Sequence, residues 1–388
     1  MKVAHVTTVD MSLRYLLLPQ LRAVIDGGGQ AVGISAPGPW VPALEALGIR
    51  FRPLPSSTRS FAPAADLRAA YELWRVLRDE RPDVLHTHNP KPGLYGRVVA
   101  RLAGVPIVVN TVHGLYAAPD DRLPKRILVY VLEAIASRFS DAELVQNPED
   151  LALLRSYRIA PNAELLGNGI DLTRFDRERL PVSTRAAVRA ALGVTDDQIV
   201  IGTIGRLVRE KGYPELFEAV ARLDPDRFVL ACVGGDDPEK ADALDRGIVD
   251  AARASGVRFL GHRDDVERLL TGFDVFVLAS HREGYPRAAM EAASMGLPIV
   301  ATDIRGCREI VDPGVNGVLV PVEDASALAR AFEALDDSDR RSEYGRASRA
   351  RACERFDERA VVQRVLAAYA AVARRKGLAF DLAFGRED

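Results

Sequence analysis

The stretch DVFVLASHREGYPRAAMEAASMGLPIVATD, residues 274 to 303, contains two short apolar runs separated by a segment rich in small residues. DVFVLAS and PIVATD have the β-branched composition of strands that are buried on both faces of a parallel sheet. Between them, Pro286 suits the first position of a helix, and Gly296 suits the helix end. The stretch therefore predicts a strand, a helix and a second parallel strand, the repeating unit of a doubly wound sheet.

The same alternation recurs in both halves of the chain. Further strands are predicted at KVAHVTT, QAVGISA, DVLHTH, PIVVN, AELVQN, QIVIGTIG, RFVLACVGG, VRFLG and GVLVPV. Residues 170–197 carry no strand and are dense in charge, which predicts a linker. We therefore expect an α/β protein with two Rossmann-like, doubly wound parallel-sheet domains that face each other across a cleft. They should span residues 1–172 and 173–364, with a last helix near residues 365–388 packing back on the first domain.

Composition excludes several classes of protein. The formal net charge is -2, the sequence pI is about 6.4, and no block of lysine and arginine is present, so a nucleic-acid partner is not expected. The three cysteines stand at unrelated spacings, which predicts reduced thiols in a cytoplasmic protein and neither disulfides nor a zinc site. No apolar run approaches the roughly 20 residues of a membrane span, so neither a transmembrane helix nor secretion is expected.

Two glutamates flank the predicted start of the helix in the opening stretch. Ligands of open parallel sheets bind beyond the carboxyl ends of the strands, where Glu283 stands, and Glu291 lies deeper along the helix. The free amides of the first helical turn form an anion site between them. One carboxylate for sugar hydroxyls, one for a ribose and an anion site for a diphosphate would suit a nucleotide-sugar. A surface pair between Arg287 and Glu291 on an ordinary helix explains the same spacing equally well.

A second predicted strand end carries cations. In QIVIGTIGRLVREKGYPELFEAV the strand is followed by Gly205, Arg206 and Lys211, and then by a helix. The planar fork of Arg206 and the point charge of Lys211 can neutralise a departing diphosphate. Taken alone, two such residues are more often solvated surface charges, and only the combination with the glutamates and the predicted anion site favours a diphosphate site.

With these motifs the chain resembles the retaining glycosyltransferases of family 4, which have the two-domain GT-B fold. The resemblance covers nearly the whole chain and is strongest in GRLVREKG, GGDDPEK, FLGHRDDV and residues 283–321. It implies that Arg206 and Lys211 hold the donor diphosphate, that Glu283 meets the transferred sugar and that Glu291 binds the ribose. Members of the family often have glycine where Pro286 stands, so one amide donor beside the phosphates is missing here.

The resemblance extends the donor site to further residues. It places His262 and Arg263 near the base, although His262 is equally explained as a surface loop histidine. The donor-binding residues so predicted are Gly205, Arg206, Lys211, His262, Arg263, Glu283, Gly284, Tyr285, Arg287 and Glu291.

Histidines follow two predicted strands of the first half. The resemblance puts His113, in VVNTVHGLY, near the donor sugar as a hydrogen-bond partner, whereas a lone histidine is often structural. HTHNPKPGLYGR offers His86 and His88, whose spacing also occurs in the metal sites of hydrolases. No further ligand set accompanies them, so we expect no metal site and assign His88 to the acceptor site. The predicted catalytic residues are His113, Arg206, Lys211 and Glu283.

The acceptor site is predicted from the loop after the first strand. TTVDMSLRYLLLPQL lacks the glycines common in the family and offers Ser12 and Arg14 instead. Together with HNPKPGLYGR and NTVHGLY, it resembles the subgroup that extends sugars on undecaprenyl diphosphate. The predicted acceptor-binding residues are Ser12, Arg14, His88 and Asn89. DDRLPKRILVYVLEAIASRF, residues 120–139, combines cations with an apolar stripe, which suits either a helix on an anionic membrane surface or an ordinary core-facing helix.

These observations predict a hexosyltransferase that works with retention. It would move a sugar from a nucleotide-sugar, here a UDP-sugar, to a hydroxyl of a polyprenyl-diphosphate-linked saccharide in cell-surface polysaccharide synthesis. No metal or other cofactor is expected, and the protein would lie in the cytoplasm, peripherally on the inner face of the membrane. The alternatives are a UDP-sugar 2-epimerase of the same fold, a metal-dependent hydrolase built around HTH, and a non-catalytic sugar-nucleotide sensor.

Overall fold

A computed structural model of the protein describes residues 1–60, 62–88, 90–117, 121–237, 240 and 242–382. The chain forms two compact units. The first comprises Met1–Gly167 with Arg359–Asp388, and the second comprises Asn168–Glu358. The predicted domain boundaries at 172 and 364 lie a few residues beyond these junctions. Each unit is built on one parallel sheet, which confirms the predicted α/β class with two doubly wound domains.

The first sheet has the strand order β3-β2-β1-β4-β5-β6-β7, and all its pairs are parallel. The sequence analysis missed β3 and β7, because edge strands bury less surface and do not need an apolar run. The strands are β1 (Lys2–Val9), β2 (Gln30–Ala36), β3 (Arg50–Pro53), β4 (Val84–His88), β5 (Ile107–Val112), β6 (Ala142–Val145) and β7 (Glu164–Leu165).

Seven helices connect these strands in the described part of the chain. The segment after β1, predicted as a loop, forms the short helix α1. The helices are α1 (Asp10–Tyr15), α2 (Leu18–Asp26), α3 (Val41–Glu45), α4 (Pro63–Glu80), α5 (Pro90–Ala103), α6 (Leu123–Ser137) and α7 (Pro148–Ser156). Because α4 packs against α5 and α5 against α6, these three helices lie side by side in one layer.

The second sheet has the order β10-β9-β8-β11-β12-β13 and is also parallel. Its strands are β8 (Ile199–Ile204), β9 (Phe228–Val233), β10 (Arg258–Phe259), β11 (Val275–Leu278), β12 (Ile299–Thr302) and β13 (Gly317–Val320). The helices of this unit are α8 (Ser183–Leu192), α9 (Tyr213–Val220), α10 (Arg246–Ala254), α11 (Val266–Gly272), α12 (Arg287–Ser294), α13 (Arg305–Arg308), α14 (Ala325–Ala334) and α15 (Ser338–Arg355).

The predicted linker at residues 170–197 is wrong. Ile170 and Phe175 are buried in the core of the second unit, and α8 packs on α11. Arg189, although charged, is 2% exposed because it pairs with Asp274 at 2.8 Å. The charge of this segment is thus partly internal, which its composition alone did not reveal.

The last helix, α16 (Glu358–Lys376), packs in the first unit. Val365 and Tyr369 are buried in a cluster with Leu13 and Leu21, which lie in α1 and α2. The core of the first unit therefore takes side chains from both ends of the chain.

Strand order reverses once in each sheet, between β1 and β4 in the first unit and between β8 and β11 in the second. At such a switch point the loops after the two central strands diverge and leave a crevice, where ligands of this class of fold bind. The residues that follow β1, β4, β8 and β11 are therefore the ones to inspect for a functional site.

Candidate functional site

Glycines bring two loops together at the switch point of the second unit. Gly212 has φ of +69°, and a Cβ atom there would lie 2.0 Å from the carbonyl oxygen of Ala279, just past β11. Only glycine permits this approach, which packs the loop after β8 against the end of β11. The hydroxyl of Tyr213 donates to the carbonyl of Gly205 at 2.8 Å and closes the same loop. Lys211 is thereby held beside the loop that follows β11.

An ion pair joins the two loops. Lys211 Nζ lies 2.5 Å from Glu283 Oε1, and the hydroxyl of Ser280 donates to the same oxygen at 2.7 Å. The side chains of Lys211 and Glu283 are 22% and 12% exposed. The structure thus brings together two of the predicted catalytic residues, and both remain reachable from solvent.

Arg206 stands at the same edge of the sheet. It pairs with Asp237 at 2.5 Å, and its side chain keeps 40% of its surface exposed. Gly234, with φ of +148°, packs so closely that a Cβ atom would lie 1.9 Å from the carbonyl oxygen of Gly205. The end of β9 therefore supports the turn that carries Arg206.

Helix α12 begins just after the loop that carries Glu283. Pro286 is its N-cap residue, with φ of −74° and ψ of 108°, and the Pro286 side chain makes no capping hydrogen bond. The sequence analysis had assigned Pro286 to the first helical position, whereas the helix begins at the next residue, Arg287. Backbone amides at such a helix start attract anions. Pro286 itself offers no N–H group.

Glu291 lies inside the unit. Burial raises the pKa of the Glu291 carboxyl to about 7, against the opposing effect of nearby Arg287. Arg287 Nε is 3.9 Å from Glu291 Oε1, and its Nη1 donates to the carbonyl of Gly169 at 3.1 Å. The two side chains are 24% and 15% exposed, so this is a loose, largely buried pair and not a surface pair on an open helix face.

Tyr285 and Gly284 shape the loop through packing. The ring of Tyr285 is buried and meets Phe356 edge to face, with centroids 6.2 Å apart. The carbonyl of Tyr285 accepts a hydrogen bond from Asn168 at 3.2 Å. A Cβ atom at Gly306 would lie 2.8 Å from the carbonyl oxygen of Gly284. These contacts anchor the loop between Glu283 and α12.

The two residues predicted to lie near the base are on an exposed loop after β10. His262 Nε2 is 3.6 Å from a carboxyl oxygen of Asp264. Arg263 pairs with Asp265 at 2.7 Å, and this pairing raises the pKa of the guanidinium. Both side chains are held by acids of their own loop.

Four histidines meet around the switch point of the first unit. His5 Nδ1 is 3.0 Å from His88 Nε2, and His88 Nδ1 is 3.0 Å from His113 Nε2. The ring of His86 lies beside that of His88, with centroids 4.1 Å apart. The sequence analysis missed His5, which lies inside β1 and 83 residues before His88.

Burial keeps these imidazoles neutral. It lowers the pKa of His5 to about 3 and that of His113 to about 4, and it lowers the pKa values of His86 and His88 well below the ordinary range. One ring nitrogen each from His5, His86 and His88 lies within 4.8 Å of the others, close enough to share a metal ion. Nitrogens of His5 and His88 are hydrogen-bonded to each other. The expected absence of a metal site stays a prediction.

A second group of possible ligands lies in the second unit. Oxygens of Glu215 and Glu323 and a ring nitrogen of His281 lie within 4.8 Å of one another. His281 Nε2 is 3.0 Å from Glu215, and the backbone N–H of His281 donates to the carbonyl of Glu210, next to Lys211. The sequence analysis missed this group, because it forms only where the loops after β11 and β13 meet α9.

The predicted acceptor residues lie on α1 and at the end of β4. Among the described residues, Arg14 Nε is buried without a hydrogen-bond partner. Ser12, two residues before Arg14, is half-buried, His88 belongs to the histidine cluster, and Asn89 lies outside the described residues. The sequence analysis missed Asp10, whose buried carboxylate accepts from the backbone N–H groups of its neighbour and of Trp40.

Comparison with known proteins decides the family. The second unit matches the family model "Glycosyl transferases group 1" over residues 198–337, and the first matches "Glycosyl transferase 4-like domain" over residues 21–169. An Escherichia coli UDP-Gal:alpha-D-GlcNAc-diphosphoundecaprenol alpha-1,3-galactosyltransferase is 30% identical over 73% of this chain and 74% of its own length. The chain is a group 1 glycosyltransferase.

Other relatives agree with this assignment. A Campylobacter jejuni N,N'-diacetylbacillosaminyl-diphospho-undecaprenol alpha-1,3-N-acetylgalactosaminyltransferase is 24% identical over 95% of this chain and 98% of its own length. The Anabaena protein HepE, crystallised with UDP and glucose, superposes with a TM-score of 0.77 at 21% identity over 96% of this chain and all of its own. The predicted family, its GT-B fold and the resemblance to proteins that act on undecaprenyl-diphosphate sugars are confirmed.

The residue ranges that match the two family models contain most of the site residues described above. In this glycosyltransferase, residues 198–337 contain both loops of the second switch point, and residues 21–169 contain His86, His88 and His113. Among its described helices, none has the length and apolar character that crossing a bilayer requires.

Proposed function

We propose that this glycosyltransferase moves a sugar, with retention, from a UDP-sugar to a hydroxyl of a polyprenyl-diphosphate-linked saccharide in cell-surface polysaccharide synthesis. The observation that carries the proposal is the convergence of Arg206, Lys211, Glu283 and the N-terminus of α12 on the switch point of the second unit. The donor and acceptor classes come from the names of relatives whose whole length the chain largely covers. The second unit would bind the donor, and the first the acceptor.

The cations stabilise the leaving diphosphate. Arg206 and Lys211 are paired with Asp237 and Glu283, and both keep exposed surface. A diphosphate would replace these carboxylates as their partner and would also accept from the amides at the start of α12. Such donors act most strongly where charge develops on the leaving group. Because these residues supply the positive charge, the mechanism needs no metal ion or other cofactor.

The two glutamates would sort the parts of the donor. Glu283 accepts from hydroxyls of the transferred sugar, and Glu291 accepts from the ribose. The acceptor hydroxyl attacks the anomeric carbon and passes its proton to an oxygen of the leaving phosphate on the same face, which gives retention. In this mechanism Glu283 binds hydroxyls of the transferred sugar, and no carboxylate acts as the nucleophile of a double displacement.

The remaining predicted residues have complementary roles. His113 would hydrogen-bond the donor sugar, and His262 and Arg263 would contact the base. Ser12, Arg14, His88 and Asn89 would line the acceptor site. The buried Nε of Arg14, which lacks a hydrogen-bond partner among the described residues, supports a role toward the acceptor's phosphates.

The same proposal includes a peripheral contact with the inner face of the membrane. In α6 only Ala136 is fully buried, while Tyr130 and Ala134 pack against the core from partly buried positions. Six large apolar side chains on it are 40–61% exposed: Leu123, Ile127, Leu128, Val131, Leu132 and Ile135. Arg122, Lys125 and Arg126 stand at its start. An apolar face with cations at its edge matches an anionic bilayer surface.

Helix α4, in the same layer, presents a similar face. Leu67, Tyr71 and Trp74 are 74%, 60% and 36% exposed and follow one another at helical spacing. Arg78 lies over the Trp74 ring at 5.9 Å. Two acids of this helix, Asp66 and Asp79, are paired with Lys91 and Arg52. Tyrosine, tryptophan and arginine are the residues favoured at the interface between lipid and water.

The transferase proposal is tested by turnover. The purified chain is incubated with UDP-sugars and a short-chain polyprenyl-diphosphate saccharide, and NMR of the product gives its anomeric configuration. We expect a new glycosidic bond with the donor's configuration. A free epimer formed without acceptor would favour the epimerase, metal-dependent hydrolysis would favour the hydrolase, and binding without turnover would favour the sensor.

The membrane contact is tested by sedimentation with liposomes. We expect the chain to bind phosphatidylglycerol vesicles at low salt, to bind less at high salt, and to ignore phosphatidylcholine vesicles. Leu128→Gln and Ile135→Gln should each weaken binding. Val182→Gln is the matched control, because Val182 is 97% exposed in the second unit. Equal binding by all three variants would remove α6 from the contact.

A further inference from the structure

A continuous chain of side chains runs through the first unit beneath its switch point. Its end groups are Thr111 in β5 and His113 just after that strand, and Tyr369 on α16 lies in its middle. The successive contacts are Thr111 Oγ1 to His86 Nε2 (2.7 Å), His86 Nδ1 to the Tyr369 hydroxyl (2.6 Å), that hydroxyl to His5 Nε2 (3.5 Å), His5 Nδ1 to His88 Nε2 (3.0 Å) and His88 Nδ1 to His113 Nε2 (3.0 Å).

All the hydrogen bonds in this row of side chains must run in the same donor-to-acceptor direction. Each imidazole is neutral, so it has one N–H group and one accepting nitrogen. A ring that donates on one side therefore accepts on the other, and the Tyr369 hydroxyl likewise donates one hydrogen. Fixing the proton at either end fixes the tautomer of every ring in the chain.

The Thr111 end determines the direction of the hydrogen bonds. Thr111 is 2% exposed, and in the part of the chain that the structure describes its hydroxyl has one recorded partner, His86 Nε2. A buried hydrogen without an acceptor costs more than an unused lone pair, so Thr111 donates. His113 then accepts at Nε2 and carries its proton at Nδ1.

This row of hydrogen-bonded side chains does not conduct protons. It ends inside the core at Thr111, whose hydroxyl neither supplies a proton to the site nor takes one from it. What it can do is hold rings in place, since the partner of one imidazole nitrogen decides which nitrogen is protonated. His113 therefore has a donating Nδ1–H, and its one accepting nitrogen, Nε2, is already bonded to His88.

We propose that His5, His86 and Tyr369 are positioning residues, which fix His88 and His113 in the Nδ1–H form so that His113 meets the substrate as a hydrogen-bond donor and not as a base. The assignment of substrate contact rests on the proposed function, whereas the tautomers follow from the contacts above. Tyr369 gives the C-terminal helix a part in the site that its position in the sequence does not suggest.

The tautomers are measured directly by NMR of the full chain labelled with ¹⁵N-histidine, without ligand, at neutral pH. We expect His5, His86, His88 and His113 to be neutral and protonated at Nδ1. Nε2–H forms or charged rings at these positions would overturn the proposal.

The variant Tyr369→Phe removes the hydroxyl that joins His86 to His5 and keeps the ring. We expect Nε2–H signal to appear at His5 and His86, and kcat to fall roughly threefold to tenfold with KM little changed, as for loss of one or two hydrogen bonds. Tyr344→Phe, at a half-buried position of the second unit, should change neither.

The outcomes separate the two proposals. If Tyr369→Phe is folded and its tautomers and kcat both match the wild type, the positioning role is wrong. If the wild-type tautomers are as expected but the protein turns over no nucleotide-sugar, the proposed function fails while the hydrogen-bond chain stands.

Discussion

The two units have the same topology at their switch points and fill them with opposite chemistry. In the first, neutral imidazoles are buried and hydrogen-bonded to one another. In the second, Arg206 and Lys211 are partly exposed and paired with carboxylates. The sheet decides where a ligand binds, and the side chains after β1, β4, β8 and β11 decide which ligand it is. Neutral hydrogen-bonding groups suit hydroxyls, whereas charged pairs suit a diphosphate.

The difference also bears on ligand exchange. Exposed ion pairs contribute little to stability, about 0 to 1 kcal/mol, so Arg206 can exchange Asp237 for a phosphate at small cost. The buried histidines have no such freedom, because breaking one bond leaves a polar group without a partner in the core. We therefore expect the second switch point to rearrange on binding and the first to stay fixed.

The largest expected effect comes from removing the cations. Arg206→Ala and Lys211→Ala should each lower kcat about tenfold to a hundredfold, since hydrogen bonds to charged groups contribute roughly 1.5–3 kcal/mol. The donor KM should change less than kcat. The control is Arg227→Ala, because Arg227 forms a similar 2.5 Å pair with Asp336 just before β9. A variant at position 206 or 211 with the wild-type rate would remove that residue from the site.

A second expectation separates the two glutamates within the same site. Glu291→Gln should weaken binding of free UDP about tenfold, because it replaces the carboxylate that we propose accepts from the ribose. Glu283→Gln should leave UDP affinity alone and weaken the UDP-sugar. Calorimetric titration with both ligands makes the comparison, and equal effects of the two changes would contradict the assignment.

The buried carboxyl of Glu291 predicts a smaller, pH-dependent effect on stability. Its folded pKa of about 7 lies above the ordinary 4.5, so between these values the folded state binds a proton that the unfolded state lacks. Stability should then fall as pH rises through this window, by at most about 1.4 kcal/mol per pH unit. Glu291→Gln should lack this part of the decline. Chemical denaturation from pH 4.5 to 7.5 checks it, and parallel curves would refute it.

The smallest expected effect is that of a chelator. If positive side chains replace a metal ion, transferase activity should be unchanged by excess EDTA. Loss of activity with recovery on adding manganese would instead assign a metal, and the group of Glu215, His281 and Glu323 would be the first place to look.

The sequence predicted the second switch point better than the first. There, the predicted site residues follow apolar strands directly, with glycine and proline marking the turns, so local spacing carries the information. Glu283 and Lys211 were correctly placed at neighbouring strand ends, although they are 72 residues apart.

The first switch point depends on contacts that no local pattern encodes. His86 contacts Tyr369, which is 283 residues away in the sequence. No local pattern marks His5, which lies inside strand β1. Composition misled in the segment of residues 170–197, because buried Arg189 pairs with Asp274 and makes a packed helix look like a charged linker. Edge strands β3 and β7 were missed because little of their surface needs to be apolar.

The claim that the second switch point binds the nucleotide diphosphate is tested most directly by amide hydrogen exchange of the full chain with and without UDP. We predict that the strongest protection falls on peptides covering residues 205–212 and 283–291, where the ligand would contact backbone amides and order both loops. Peptides covering residues 5–14 and 86–88 should change least. Strongest protection in the first unit, or none at residues 283–291, would contradict the account.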